Sequence, residues 1–136
     1  MRVILDTNAL VSGIFWSGPP NEILRAWRSQ TLELVLSSDI LDEYKRVAIE
    51  LSAQFPAVDL SGFMSLLTVQ ASIHSAPVLP HPVCEDPDDD KFISCALAND
   101  VFHIVSGDKA LLKVSGYQKL EILKPKDFVT RYLGHR

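Results

Sequence analysis

Five acids fall within six residues at Glu85-Asp86-Pro87-Asp88-Asp89-Asp90, and they run directly into the apolar pair Phe92-Ile93. Two like charges about 4 Å apart repel by roughly 4 kcal/mol at a near-surface dielectric. A folded chain keeps such a group only where the acids are solvated, cap a helix, or meet a cation. Capping explains part of it: Asp86 suits an N-cap, Pro87 the first helical residue and Asp89 the third. Asp90 lies beyond that cap, and it is the preferred site acid, although periodicity does not choose cleanly among Asp88, Asp89 and Asp90. Carboxylates gathered without His or Cys are hard oxygen ligands that suit Mg²⁺ or Mn²⁺ rather than zinc. One or two such ions can activate a water for attack on a phosphodiester and stabilise the leaving oxygen.

That chemistry needs more than one acid, so the elements that would position them matter. Val3-Ile4-Leu5 reads as a short buried strand ending at Asp6-Thr7-Asn8. Helices are predicted over Ala9 to Phe15 and from Pro20 to Ser29, separated by Gly18-Pro19-Pro20. A second strand spans Leu32 to Leu36, and Ser37-Ser38-Asp39 caps a helix to about Ala53. In that helix Ile40, Leu41, Tyr44, Val47, Ala48 and Leu51 form the apolar stripe, Glu43 borders its edge and Asp42 points to solvent. A helix over Leu60 to Ala71 precedes an extended stretch, Ser72 to Leu79, and a loop stiffened by Pro77, Pro80 and Pro82. Then follow a helix over Asp88 to Asn99, a strand over Val101 to Val105, a short helix over Lys109 to Lys113, a strand over Leu120 to Leu123 and a final helix from Pro125 to about Leu133.

Alternating strands and helices predict an α/β fold, a three-layer α/β/α sandwich with a central, mainly parallel sheet. Right-handed crossovers put the carboxyl ends of all its strands on one edge, where ligands bind. Asp6 ends the first strand and Asp108 follows a later one. Glu43 sits early in the helix after the second strand, and the helix that begins near Asp90 leads into the strand before Asp108. Four carboxylates from four elements therefore converge, and their motifs contain no Arg or His to offset them. Repulsion among them predicts that Asp90→Asn stabilises the metal-free chain.

Composition sets the limits. The 136 residues form one domain, 1–136, with 47% hydrophobic and 22% charged residues, ordinary for a globular protein. A net charge of −4 argues against binding through a general basic surface, but not against a nucleic-acid enzyme whose metal supplies the positive charge. Asp6 interrupts the only apolar run at the N-terminus, so neither a signal peptide nor a membrane span is expected. Cys84 and Cys95 make no motif and read as reduced thiols of a cytoplasmic protein.

The four motifs together resemble the PIN-domain ribonucleases found as the toxin half of toxin–antitoxin pairs, the VapC-like proteins. The resemblance rests on Val3-Ile4-Leu5-Asp6-Thr7-Asn8, Ser37-Ser38-Asp39-Ile40-Leu41-Asp42-Glu43-Tyr44, Asp86-Pro87-Asp88-Asp89-Asp90-Lys91-Phe92-Ile93 and Val105-Ser106-Gly107-Asp108-Lys109-Ala110-Leu111-Leu112. It covers nearly the whole chain. It places the family's acidic set on Asp6, Glu43, Asp90 and Asp108, and supporting polar positions on Asn8 and Ser106. It implies a Mg²⁺- or Mn²⁺-dependent endoribonuclease that leaves 5′-phosphate and 3′-hydroxyl ends. An RNA substrate, a small antitoxin partner and a homodimer are implied with it.

Other residues offer weaker chemistry. Lys91 and Lys109 each follow a site acid and are candidates for contacting substrate phosphate, or are solvated surface lysines. His81, Cys84 and Cys95 have no regular zinc spacing, and His74, His103 and His135 read as structural or surface residues. Phe15-Trp16 can stack on RNA bases or on a partner, whereas Trp27 fits core spacing. Two other classes compete with the nuclease. A non-catalytic RNA- or protein-binding module would keep the fold without metal-dependent cleavage. An aspartate-based phosphohydrolase would need a second Asp two residues after Asp6, where Asn8 stands.

Overall fold

Val3, Ile4 and Leu5 lose essentially all of their exposure because their strand is the middle of the sheet. In the computed structural model, which describes residues 1–134, β1 (Arg2–Leu5) pairs on one side with β2 (Glu33–Ser37) and on the other with β4 (His103–Val105). β3 (Ser72–His74) and β5 (Glu121–Leu123) close the two edges, giving the order β3-β2-β1-β4-β5 with every pairing parallel. A strand covered on both faces reads as a continuous apolar run, which is what β1 and β2 show. His135 lies outside the described residues.

Seven helices flank this sheet among the described residues: α1 (Thr7–Phe15), α2 (Pro19–Arg28), α3 (Ser38–Ser52), α4 (Leu60–Gln70), α5 (Asp90–Ala98), α6 (Lys109–Leu112) and α7 (Pro125–Tyr132). The architecture is the expected three-layer α/β/α sandwich. Local signals explain most boundaries. The Ser37 hydroxyl accepts from the Ile40 amide at 3.2 Å to cap α3, and the Asp59 carboxylate accepts from the Gly62 amide at 3.2 Å to cap α4. Pro19 opens α2 after Gly18, whose φ of +120° only glycine adopts without strain. The helices then bury their apolar stripes. Tyr44, Phe92 and Phe128 are fully buried, and Trp27 packs edge-on to Phe63 with ring centroids 5.8 Å apart.

Two segments differ from the sequence expectation. The stretch predicted as extended from Ser72 to Leu79 forms a strand only over Ser72–His74, since the prolines that follow cannot donate to a ladder. The helix predicted from Asp88 begins instead as a 3-10 turn, Pro87–Asp89, and becomes α-helical at Asp90. That change of winding alters which acid faces the sheet edge.

Candidate active site

The site begins where the strand order reverses. The chain winds outward from β1 to β2 and β3, then returns past β1 to β4, so the carboxyl ends of β1 and β4 lie side by side. Their register pairs Leu5 with Val105, and the Asp6 amide continues the ladder to the Val105 carbonyl at 3.0 Å. Asp6 therefore stands next to Ser106. Its Oδ1 caps α1 by accepting from the Ala9 amide at 2.7 Å, while its Oδ2 accepts from the Ser106 hydroxyl. The cap and the site are one arrangement, because capping uses one oxygen and fixes the direction of the other. Asp6 is buried, and burial is the main cause that pushes its carboxyl up to about 6. The Ser106 and Ala9 hydrogen bonds oppose that rise, and the charges of Asp108 and Glu43 add to it.

Ser106 reaches a second acid. Its Oγ accepts from the Asp108 amide at 2.9 Å, which fixes the backbone of the acid that follows β4. The Asp108 side chain does not cap α6, so its carboxylate is left for other contacts. Asn8, expected as a supporting residue, is exposed in the first turn of α1.

Glu43 arrives from the other neighbour of β1. The buried Tyr44 hydroxyl donates to the Leu5 carbonyl, pinning α3 to the end of β1 one residue from Glu43. The Thr7 hydroxyl donates to Glu43 Oε2, and Lys91 Nζ donates to Glu43 Oε1 at 2.6 Å. Lys91 also lies 3.3 Å from Asp88, and Arg46 lies 3.7 Å from Glu43. Sequence reasoning missed the tie from Thr7 and the anchor from Tyr44. It gave Lys91 as a phosphate contact or a solvated lysine without seeing its ion pairs, although the Asp88-to-Lys91 spacing of three was a visible sign of pairing on one helical face. Lys109 is exposed at the start of α6.

The third acid is where the 3-10 turn matters. Asp90 turns away from the other acids: its Oδ1 accepts from the Cys84 amide at 2.7 Å and its Oδ2 from the Val83 amide at 3.1 Å. Together with the Ser94 hydroxyl, which donates to the Pro77 carbonyl, Asp90 ties the proline-rich segment 75–86 to α5. Asp89 instead faces Asp108. Burial first, then a hydrogen bond shared with Asp108 and the charges of Asp108, Asp86 and Asp6, push the Asp89 carboxyl up to about 7. Asp86 accepts from the Asp88 amide at 3.0 Å as the cap of the turn, as its sequence position suggested.

Asp6, Asp89 and Asp108 thus converge, with Glu43 and its lysine alongside. Among the described residues no Lys, Arg or His lies within 4.0 Å of those three acids. Also among the described residues, no three or more His, Cys, Asp or Glu side chains are drawn together closely enough to grip an ion as they stand. The donor set nonetheless fits a hard divalent cation: the oxygens are carboxylate, the charge of Asp108 raises the Asp89 carboxyl, and Asp89 and Asp108 are only partly buried. Zinc chemistry has no such basis. His81 is exposed, and burial pushes the Cys84 thiol up to about 12 and the Cys95 thiol to about 11, so neither is a thiolate.

The aromatic candidates separate as well. Trp27 is core, whereas Trp16 is half exposed and forms a surface cluster with Phe15 and Phe55, with ring centroids 5.3–5.9 Å apart.

The family model described as PIN domain matches residues 2–110, a span that includes Asp6, Glu43, Asp89, Asp90 and Asp108. An uncharacterized protein of Methanocaldococcus jannaschii is 26% identical over 148 aligned positions, covering 97% of this chain and 92% of the relative.

Proposed function

The chain belongs to the PIN-domain family, a nuclease fold, and we propose that it is a divalent-metal-dependent endoribonuclease acting as the toxin of a toxin–antitoxin pair. The observation that carries the nuclease reading is the convergence of Asp6, Asp89 and Asp108, from three separate elements, on the switch point of a parallel sheet without a basic partner. Asp6, Asp89 and Asp108 would hold Mg²⁺ or Mn²⁺. When bound, such an ion supplies Lewis-acid activation of water and stabilisation of charge on the phosphodiester oxygens.

The chain's own residues do the rest. Ser106 fixes the direction of Asp6 and the backbone of Asp108 together. Tyr44 and Thr7 hold Glu43 at the rim, where it keeps Lys91 beside the acids. Asp90 is assigned to the scaffold, since both of its oxygens are used by the segment 75–86. Cleavage would leave a 5′-phosphate and a 3′-hydroxyl, and the chain would act in the cytoplasm. The antitoxin would be a small protein whose tail covers the acidic edge, and the toxin would be a homodimer. No helix among the described residues is long and apolar enough to cross a membrane.

Induced expression in a bacterial host, wild type against Asp6→Asn, tests the toxin assignment. Growth arrest with discrete new RNA 5′ ends in the wild type alone supports it. Equal growth and identical RNA ends in both remove it.

A further inference from the structure

Lys91 occupies an unfavourable place for a lysine. It is the second residue of α5, where the positive end of the helix dipole disfavours a cation, and its side chain is only 17% exposed. What keeps it there is Glu43, itself 11% exposed, at 2.6 Å, with Asp88 at 3.3 Å. The other Glu43 oxygen is taken by the Thr7 hydroxyl. Glu43 is therefore an acid with both oxygens engaged and its charge balanced by a lysine, while Asp6, Asp89 and Asp108 have no basic partner among the described residues. A divalent ion at Glu43 would have to displace the ammonium or sit against it, and like charges at that range repel strongly.

We propose that Lys91 takes the place of a second divalent cation, so that the site accepts one ion, at Asp6, Asp89 and Asp108, with the Glu43–Lys91 pair as a fixed charge pair beside it. This rests on the metal-dependent nuclease reading and specifies how that site is charged. An ammonium has three N–H donors; one is given to Glu43 at 2.6 Å, and Asp88 lies 3.3 Å away as an ion pair, so donor capacity remains for a substrate phosphate. Lys91 is thus a substrate-contacting residue that Glu43 positions, and Glu43 is not an ion ligand.

Titration of the full chain with Mn²⁺, followed by calorimetry and by the electron-spin signal of free Mn²⁺, tests the proposal. Wild type and Lys91→Arg should bind one ion per chain, and Lys91→Met should bind two. The double variant Glu43→Gln with Lys91→Met, which removes both charges of the pair, should bind one ion within about threefold of the wild-type affinity. Losing a real ligand would weaken binding far more, since even supporting groups of a metal site typically contribute 10–100-fold. Two ions in the wild type, one ion in Lys91→Met, or loss of Mn²⁺ binding in the double variant would overturn the proposal. The double variant also decides the matter if Lys91→Met alone fails to fold. RNA cleavage by the same wild-type preparation separates the two levels. Cleavage with two bound ions removes this inference and keeps the nuclease, whereas no ion and no cleavage remove both.

Discussion

The Ser106 hydroxyl donates to the Asp6 carboxylate across a hundred residues of sequence, and it accepts from the Asp108 amide at 2.9 Å. One fully buried side chain thus couples the acid that ends β1 to the acid that follows β4. The coupling exists because these strands are neighbours only at the reversal of the sheet. A group that orients a ligand and donates to its charged form acts on affinity without touching the ion.

Ser106→Ala should therefore weaken Mn²⁺ binding by roughly 10-fold or more while the fold is retained. Loss of a buried hydrogen-bonded hydroxyl should also lower stability by about 1–3 kcal/mol. Mn²⁺ titration with thermal melting reads both effects. An unchanged affinity would show that Ser106 merely fills space.

Asp89 and Asp90 should behave oppositely when each is changed to Asn in the metal-free chain. Asp89→Asn removes a repelling charge, so the melting temperature should rise and Mn²⁺ protection should fall. Asp90→Asn leaves one oxygen to serve the Val83 and Cys84 amides, so stability should drop by about 1–3 kcal/mol and Mn²⁺ should still protect. The opposite pattern would return the ligand role to Asp90.

Much of this was legible in the sequence. Val3-Ile4-Leu5 and Leu34-Val35-Leu36 are apolar runs that only doubly covered strands carry, and they fix the parallel sheet and hence the edge where Asp6 and Asp108 meet. Glu43 could be placed at a helix rim from the stripe beside it. Asp90 could not be separated from Asp89, because a single 3-10 turn before α5 rotates the acids relative to an ideal helix. That turn leaves no mark in a run of like residues. The two backbone amides that the Asp90 carboxylate serves argue against the gain in stability expected of Asp90→Asn. The pairing of Lys91 was hidden for another reason: its partner Glu43 is 48 residues away, and only the packing of α3 against α5 brings them together.

The metal-free chain should lose stability as pH rises from about 4.5 to 7. Asp6 and Asp89 have carboxyls raised from 3.8 to about 6 and about 7 in the folded state. Each binds its proton more tightly folded than unfolded, so its contribution is complete below about 4 and is lost as pH passes through 6 and 7. His103, whose imidazole burial holds below its ordinary 6.5, works the other way, losing stability as pH falls. Two strongly raised acids should outweigh it. Melting in chelator across this window checks the sign, and Asp6→Asn should flatten the slope. A melting temperature that rises with pH would contradict the placement of these acids.

Gly13 should not tolerate alanine. A Cβ there would lie 2.7 Å from Leu24 Cδ1 and 2.8 Å from the Pro20 carbonyl oxygen, where α1 meets α2. Gly13→Ala should lower stability by about 1–3 kcal/mol despite alanine's higher helix propensity. A neutral or stabilising result in a chemical-denaturation curve would show that the two helices part more easily than their packing indicates.

The central claim is tested most directly by cleavage of a 5′-labelled RNA with purified protein, in Mn²⁺ and in chelator, comparing wild type with Asp6→Asn and Asp89→Asn. The account predicts cleavage by the wild type only with metal, new ends carrying a 5′-phosphate, and a loss of at least about 100-fold in either variant, comparable to removing one essential charge-stabilising group. Cleavage that persists in chelator, or that proceeds at the wild-type rate in Asp6→Asn, would contradict it.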